Sequence, residues 1–229
     1  MPAPQGAGLI SKPRQEIKFT GVCTNRADPR DRFGNKIVSP DGTEKHVHSI
    51  EKYAFGWRVL HWAIAALVLT TIPIGLAMAS RADANIFDAI TNTFYAMHKA
   101  IGFTVLSFMV LRLMVKIGIG APAYPASMPR RLVVAAKSVH HLIYILLFVT
   151  PILGWAGVTA YPALVIAGGI SLPPLPLVPQ NEALAERLFA VHGFLAFTLA
   201  LLLIGHVGAA LRHLLIEKDG VFGRMWFGK

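Results

Sequence analysis

Cysteine is almost absent from this chain of 229 residues, charge is scarce, and no acidic residue falls inside its longest apolar runs. The one cysteine, Cys23, excludes a disulfide framework and a thiolate metal site. Charged residues make up only 15% of the sequence against 54% hydrophobic. That balance fits a soluble domain poorly and a membrane protein well. A signal peptide ahead of a soluble domain is excluded too, because about fifty polar residues precede the first apolar run and that run is too long for a signal h-region.

The long apolar runs are four: residues 55–79, 94–119, 132–158 and 188–216. Each exceeds the roughly 20 helical residues that a bilayer core requires. Lipid offers no partner to an open strand edge, so the expected fold is all-α, a four-helix transmembrane bundle spanning residues 53–229. Residues 1–52 are polar, rich in Pro and Gly, and show no sustained helix or strand period. They read as a loosely ordered cytoplasmic extension. His46 and His48 in "KHVHSI" have no Cys or further His nearby, which favours a solvated loop over a metal site.

Lys and Arg are distributed unevenly. Of the 22, only Arg81, Lys99 and Arg187 fall on the side of the first and third connections. The positive-inside rule then places both termini in the cytoplasm. The net charge of +10 follows from that topology, with anionic lipid headgroups as its partner and no nucleic acid required.

Ionisable groups inside a membrane are costly and usually functional. His61 lies one or two turns into the first helix, His98 and His192 open the second and fourth, and His206 lies deeper in the fourth. A helix advances about 1.5 Å per residue, so His192 and His206 share a face about 21 Å apart. The four sort into two depth-matched pairs, His61 with His206 and His98 with His192, provided helix four faces helices one and two. Such pairs lack the clustered ligands and carboxylates of a zinc or iron site. They suit haem, which brings four nitrogens of its own and needs one or two axial ligands in an apolar slot. Two bis-histidine b-type haems are the economical reading. Gly102, Gly193, Gly205 and Gly208 beside these histidines suit the close approach of a flat macrocycle, or ordinary small-residue helix packing. Three positions form a possible outer layer. His213 and Arg112 each read either as a partner of a haem carboxylate or as an interfacial group, Arg112 by snorkelling. His140, with His141, opens helix three, which is expected to bind no iron.

The segments "LHW", "MHKAIGFTVLSFMVLRL", "HHLIYILLFVTPILGW", "LPLVPQNEALAERLFAVHG" and "IGHVGAALRHLLIEKDGVFGRM" resemble the successive helices of the bacterial cytochrome b561 family, itself similar to the cytochrome b subunits of nickel-iron hydrogenases. The resemblance implies His61, His98, His192 and His206 as haem ligands and His140 as a recurrent non-ligand. It departs after His192, where Glu is frequent and this chain has Gly193, and in the long N-terminal extension. It further implies a quinone-linked electron-transfer oxidoreductase of the respiratory chain, with superoxide as a possible donor and ubiquinone as acceptor, acting alone or as a homodimer. The alternatives are a cytochrome subunit anchoring a larger dehydrogenase or hydrogenase as its redox partner, and a haem-free anchor or transporter.

Overall fold

The computed structural model of the chain describes residues 36–38, 44–46, 51–120, 122–125 and 128–228, and forms two compact units, Met1–Ser49 and Ile50–Lys229. In the first unit, strand β1 (Lys36–Val38) pairs antiparallel with β2 (Glu44–His46). Strands of three residues are too short to show a sequence period, so this hairpin adds to the irregular segment expected there. Cys23, His48 and the side chain of His46 lie outside the described residues.

The second unit is an all-α bundle of α1 (Phe55–Asp83), α2 (Ala89–Ile119), α3 (Arg130–Ala160) and α4 (Glu182–Arg212), the last continuing through a π-helical turn, His213–Glu217. Each is long and apolar enough to cross a membrane, with stretches of mean hydropathy between 1.9 and 2.3. Helices α2 and α4 start ahead of their apolar segments because polar caps lie there. The side chains of Asp88 and Asn181 accept from the backbone N–H of Thr91 (2.9 Å) and Leu184 (2.8 Å), satisfying donors that a helix start otherwise leaves free.

Antiparallel succession gives the bundle two ends. The loop end carries the α1–α2 and α3–α4 connections. The terminal end carries the start of α1, the α2–α3 connection and the C-terminal tail. There the tail folds back on α1: Arg58 Nη1 and Trp62 Nε1 donate to the carbonyls of Trp226 and Met225, both at 2.9 Å.

The closest packing is within two hairpins, α1 on α2 and α3 on α4, with α2 also against α3. The hairpins repeat one another. Sliding α1 along the sequence until Thr71 falls on Thr150 also brings His61 onto His140, Ile64 onto Ile143, Leu67 onto Leu146 and Gly75 onto Gly154. Sliding α2 until His98 falls on His192 brings Phe103 onto Phe197, Thr104 onto Thr198, Val105 onto Leu199 and Arg112 onto His206. The contacts repeat as well. Thr104 and Thr198 both donate to the carbonyl four residues back, and Ile64, Ile143, Val105 and Leu199 are all buried.

Those four residues, with Val68, Met109, Leu146 and Leu147, form one apolar layer across the middle of the bundle. In lipid such a layer gains little from water exclusion and holds the helices by close van der Waals contact. Apolar side chains elsewhere face outward, among them Leu69, Phe194 and Ile204. Pro73 in α1 and Pro151 in α3 interrupt the backbone ladders without ending the helices, as transmembrane helices tolerate.

Candidate functional site

Two histidine pairs bridge the hairpins, one at each end of the central layer. At the loop end, His98 of α2 meets His192 of α4 with ring centres 6.0 Å apart and planes at 79°. At the terminal end, His61 of α1 meets His206 of α4 at 6.3 Å and 74°. The structure thus brings together both pairs that depth and spacing suggest.

The spacing suits a shared metal ion. Two imidazoles on opposite sides of one ion, each about 2 Å from it and with nitrogen about 1.1 Å from its ring centre, would have centres about 6 Å apart. His140 is different: its ring centre lies 5.2 Å from that of His206, nearer than two imidazoles on opposite sides of one ion would stand. Among the described residues, no group of three or more His, Cys, Asp or Glu could hold a bare metal ion. Paired imidazoles therefore fit a cofactor that supplies its own equatorial donors.

The loop-end pair is built from one device used twice. His98 Nδ1 hydrogen-bonds the carbonyl of Thr71 at 3.2 Å, and His192 Nδ1 that of Thr150 at 2.8 Å. Each ring lies over the glycine one turn further on. A Cβ at Gly75 would approach His98 Cε1 to 2.9 Å, and one at Gly154 would approach His192 Cε1 to 3.1 Å. An Nδ1–H donated to a carbonyl fixes the tautomer and ring orientation and leaves Nε2 as the ligand atom. Sequence reasoning missed these cradles, although "TIPIG" and "TPILG" share the Thr-x-x-x-Gly spacing that marks them. Gly102, Gly193, Gly205 and Gly208 have no protein atom within 4 Å of where a Cβ would stand, which leaves room for a flat macrocycle beside them.

The terminal-end pair has no such cradle. His61 Nδ1 faces Arg112 Nη2 at 3.3 Å, and Arg112 Nε donates to the Tyr144 hydroxyl at 2.8 Å. Arg112 is only 6% exposed, which overturns the snorkelling alternative: the guanidinium points into the bundle. His140 also contacts Tyr124, whose hydroxyl lies 3.4 Å from its Nδ1. His213 stands on the π-helical turn with Nδ1 2.7 Å from Asp219 Oδ2, so Nε2 is its remaining ring nitrogen. It lines a cavity of about 570 Å³ together with Leu214, Lys218, Phe222 and Trp226.

At the loop end, Arg81 pairs with Asp88 at 2.6 Å and Lys99 Nζ donates to the Ala163 carbonyl at 2.8 Å. The Thr91 N–H first, then Arg81 and the Thr91 hydroxyl, hold the Asp88 carboxyl down at about 2.

Comparison with known proteins agrees with this architecture. The family described as prokaryotic cytochrome b561 matches residues 52–228. A protein of Escherichia coli (strain K12), cytochrome b561 homolog 2, is 27% identical over 175 residues, covering 76% of this chain and 91% of its own.

Proposed function

Since the chain belongs to the prokaryotic cytochrome b561 family, membrane proteins that transfer electrons through haem b, we propose that it is a dihaem cytochrome passing single electrons between a donor at one membrane face and membrane quinone. The observation that carries the number of haems is the repetition of a bridging histidine pair, with ring centres at 6.0 and 6.3 Å, at two depths. Haem b, when bound, supplies iron that changes oxidation state by one electron. His98 and His192 would hold it at the loop end, His61 and His206 at the terminal end. Two protein ligands per iron leave no open position for oxygen, which suits electron transfer. The chain orients both imidazoles of each pair and keeps the path between them dry with the Ile64, Met109, Leu199 layer. The excess of Lys and Arg at the terminal end supports a cytoplasmic placement of that end.

Quinone is the lipid-soluble partner, and the cavity beside His213 is the place for its ring. Reduction of a quinone takes two electrons and two protons, and the His213–Asp219 pair stands where a proton can be handed on. The donor acts at the loop end. Superoxide is the candidate there, with Lys99 beside His98 as its attracting charge, although the Arg81 charge is already matched by Asp88.

Anaerobic mixing of purified protein with ubiquinol tests the reading. The expected result is a b-type absorbance that appears with quinol and is reversed by quinone. A protein with no b-type spectrum, or one that exchanges no electrons with quinone, contradicts it. Superoxide consumption uncoupled from quinone reduction removes superoxide as the donor.

A further inference from the structure

The repeat carries a consequence at its point of divergence. On α4 the residue two turns past the central layer toward the terminal end is His206; the matching residue on α2 is Arg112. That arginine occupies a ligand-equivalent position with a group that can only donate hydrogen bonds and always carries charge.

Its surroundings leave it short of acceptors. Nε is satisfied by the Tyr144 hydroxyl, Nη1 is buried with no partner, and among the described residues no carboxylate pairs with it. The Trp57 ring lies 5.3 Å beneath the guanidinium, and Trp57 Nε1, on a residue 4% exposed, is also buried without a partner. Lys116 Nζ lies 4.6 Å over the Tyr144 ring, adding a second positive charge nearby. Nη2 faces His61 Nδ1, which must accept because a guanidinium only donates. A neutral imidazole bound to metal through Nε2 keeps its proton on Nδ1, so His61 cannot then accept. With the cofactor in place, Arg112 has two nitrogens that need an anion.

We propose that Arg112 and Trp57 form a carboxylate-binding subsite that takes a propionate of the terminal-end haem. A buried cation without a counter-charge is costly, and a carboxylate matches the guanidinium fork in shape and sign. A haem held between His61 and His206 would carry two carboxylates, either of which could meet that fork. Arg112 is thus a positioning residue, setting the haem's rotation in its slot and which edge faces the membrane surface.

This inference rests on the haem reading above, and its test separates the two. Full-length chain produced without haem is reconstituted with haem b or with haem dimethyl ester, in which both propionates are blocked. Arg112→Gln weakens haem b binding at one of the two sites by about tenfold or more, as loss of a charge-assisted bond implies, and leaves ester binding unchanged relative to wild type. Trp57→Phe keeps the ring, removes one N–H and gives a smaller change in the same direction, also absent with the ester. It decides the matter if Arg112→Gln does not fold. Equal losses with haem b and with the ester, or no loss with either, overturn the subsite; the first result assigns Arg112 a purely structural role or a lipid phosphate as its anion. Wild type that takes up no haem overturns the reading beneath it as well.

Discussion

The two histidine pairs look alike in ring spacing and differ in how they are held. At the loop end, two helices of the repeat offer the same Thr carbonyl and glycine to the same histidine, so His98 and His192 are fixed in equivalent ways. At the terminal end the repeat has diverged. One helix presents His206 and its counterpart presents Arg112, while His61 is engaged by that arginine and its own counterpart, His140, stands aside. A duplicated hairpin supplies one symmetric site almost automatically. The terminal-end pair instead stands beside the extra donors of Arg112 and a third imidazole, His140.

The contrast is broken most severely by filling the cradles. Gly154→Val and Gly75→Val place carbon where the imidazoles lie, so each should eliminate the loop-end haem and halve the haem-to-protein ratio. Gly118→Ala, exposed near the end of α2 with open space beside it, should leave the ratio unchanged. Equal behaviour of the three variants in pigment extracts would show that the cradles do not set the histidines. The next effect belongs to the layer between the sites. Met109 is fully buried, and Met109→Ala should cost about 2–5 kcal/mol by loss of contacts and a residual cavity, read as a lower midpoint in detergent unfolding with both haems retained.

Sharper but smaller differences follow. His140→Ala should keep both haems, because its ring stands nearer to His206 than two imidazoles on opposite sides of one ion would; loss of the terminal-end haem would make His140 the ligand in place of His61. Thr71→Val and Thr150→Val remove hydroxyls that are buried without partners, so stability and haem content should hold or rise slightly. A drop in haem content would mean that the hydroxyl, in addition to the carbonyl, holds the ring. The smallest effect is electrostatic. Asp88 is depressed to about 2 from 3.8 in the folded chain, so its cap on α2 contributes fully above the unfolded value and fades as pH falls through about 2. Wild type should therefore lose its advantage over Asp88→Ala in thermal unfolding only in strongly acidic buffer.

Much of this was legible in the sequence because lipid removes alternatives. Apolar length alone yields four spanning helices, and a spacing of fourteen residues aligns His192 with His206 whatever the neighbours do. The polar caps at Asp88 and Asn181 start α2 and α4 ahead of the apolar runs, which begin at residues 94 and 188. The cradles were harder, since the residue that matters at Thr71 and Thr150 is the backbone carbonyl, which every residue has. The repeat was hidden because its matching positions are mostly interchangeable aliphatics, with only a few identities such as His98 and His192 to mark the register. Arg112 was ambiguous for a physical reason. Near a helix end, a long cationic side chain can reach either water or the bundle interior, and only the position of Tyr144 and Trp57 across the helix decides which.

The haem-to-protein ratio, measured with the two midpoint potentials in wild type, His192→Ala and His206→Ala, tests the central claim most directly. The account predicts two haems in wild type and one in each variant, with a different potential missing from each. A single haem in wild type, or the same potential lost from both variants, would contradict it.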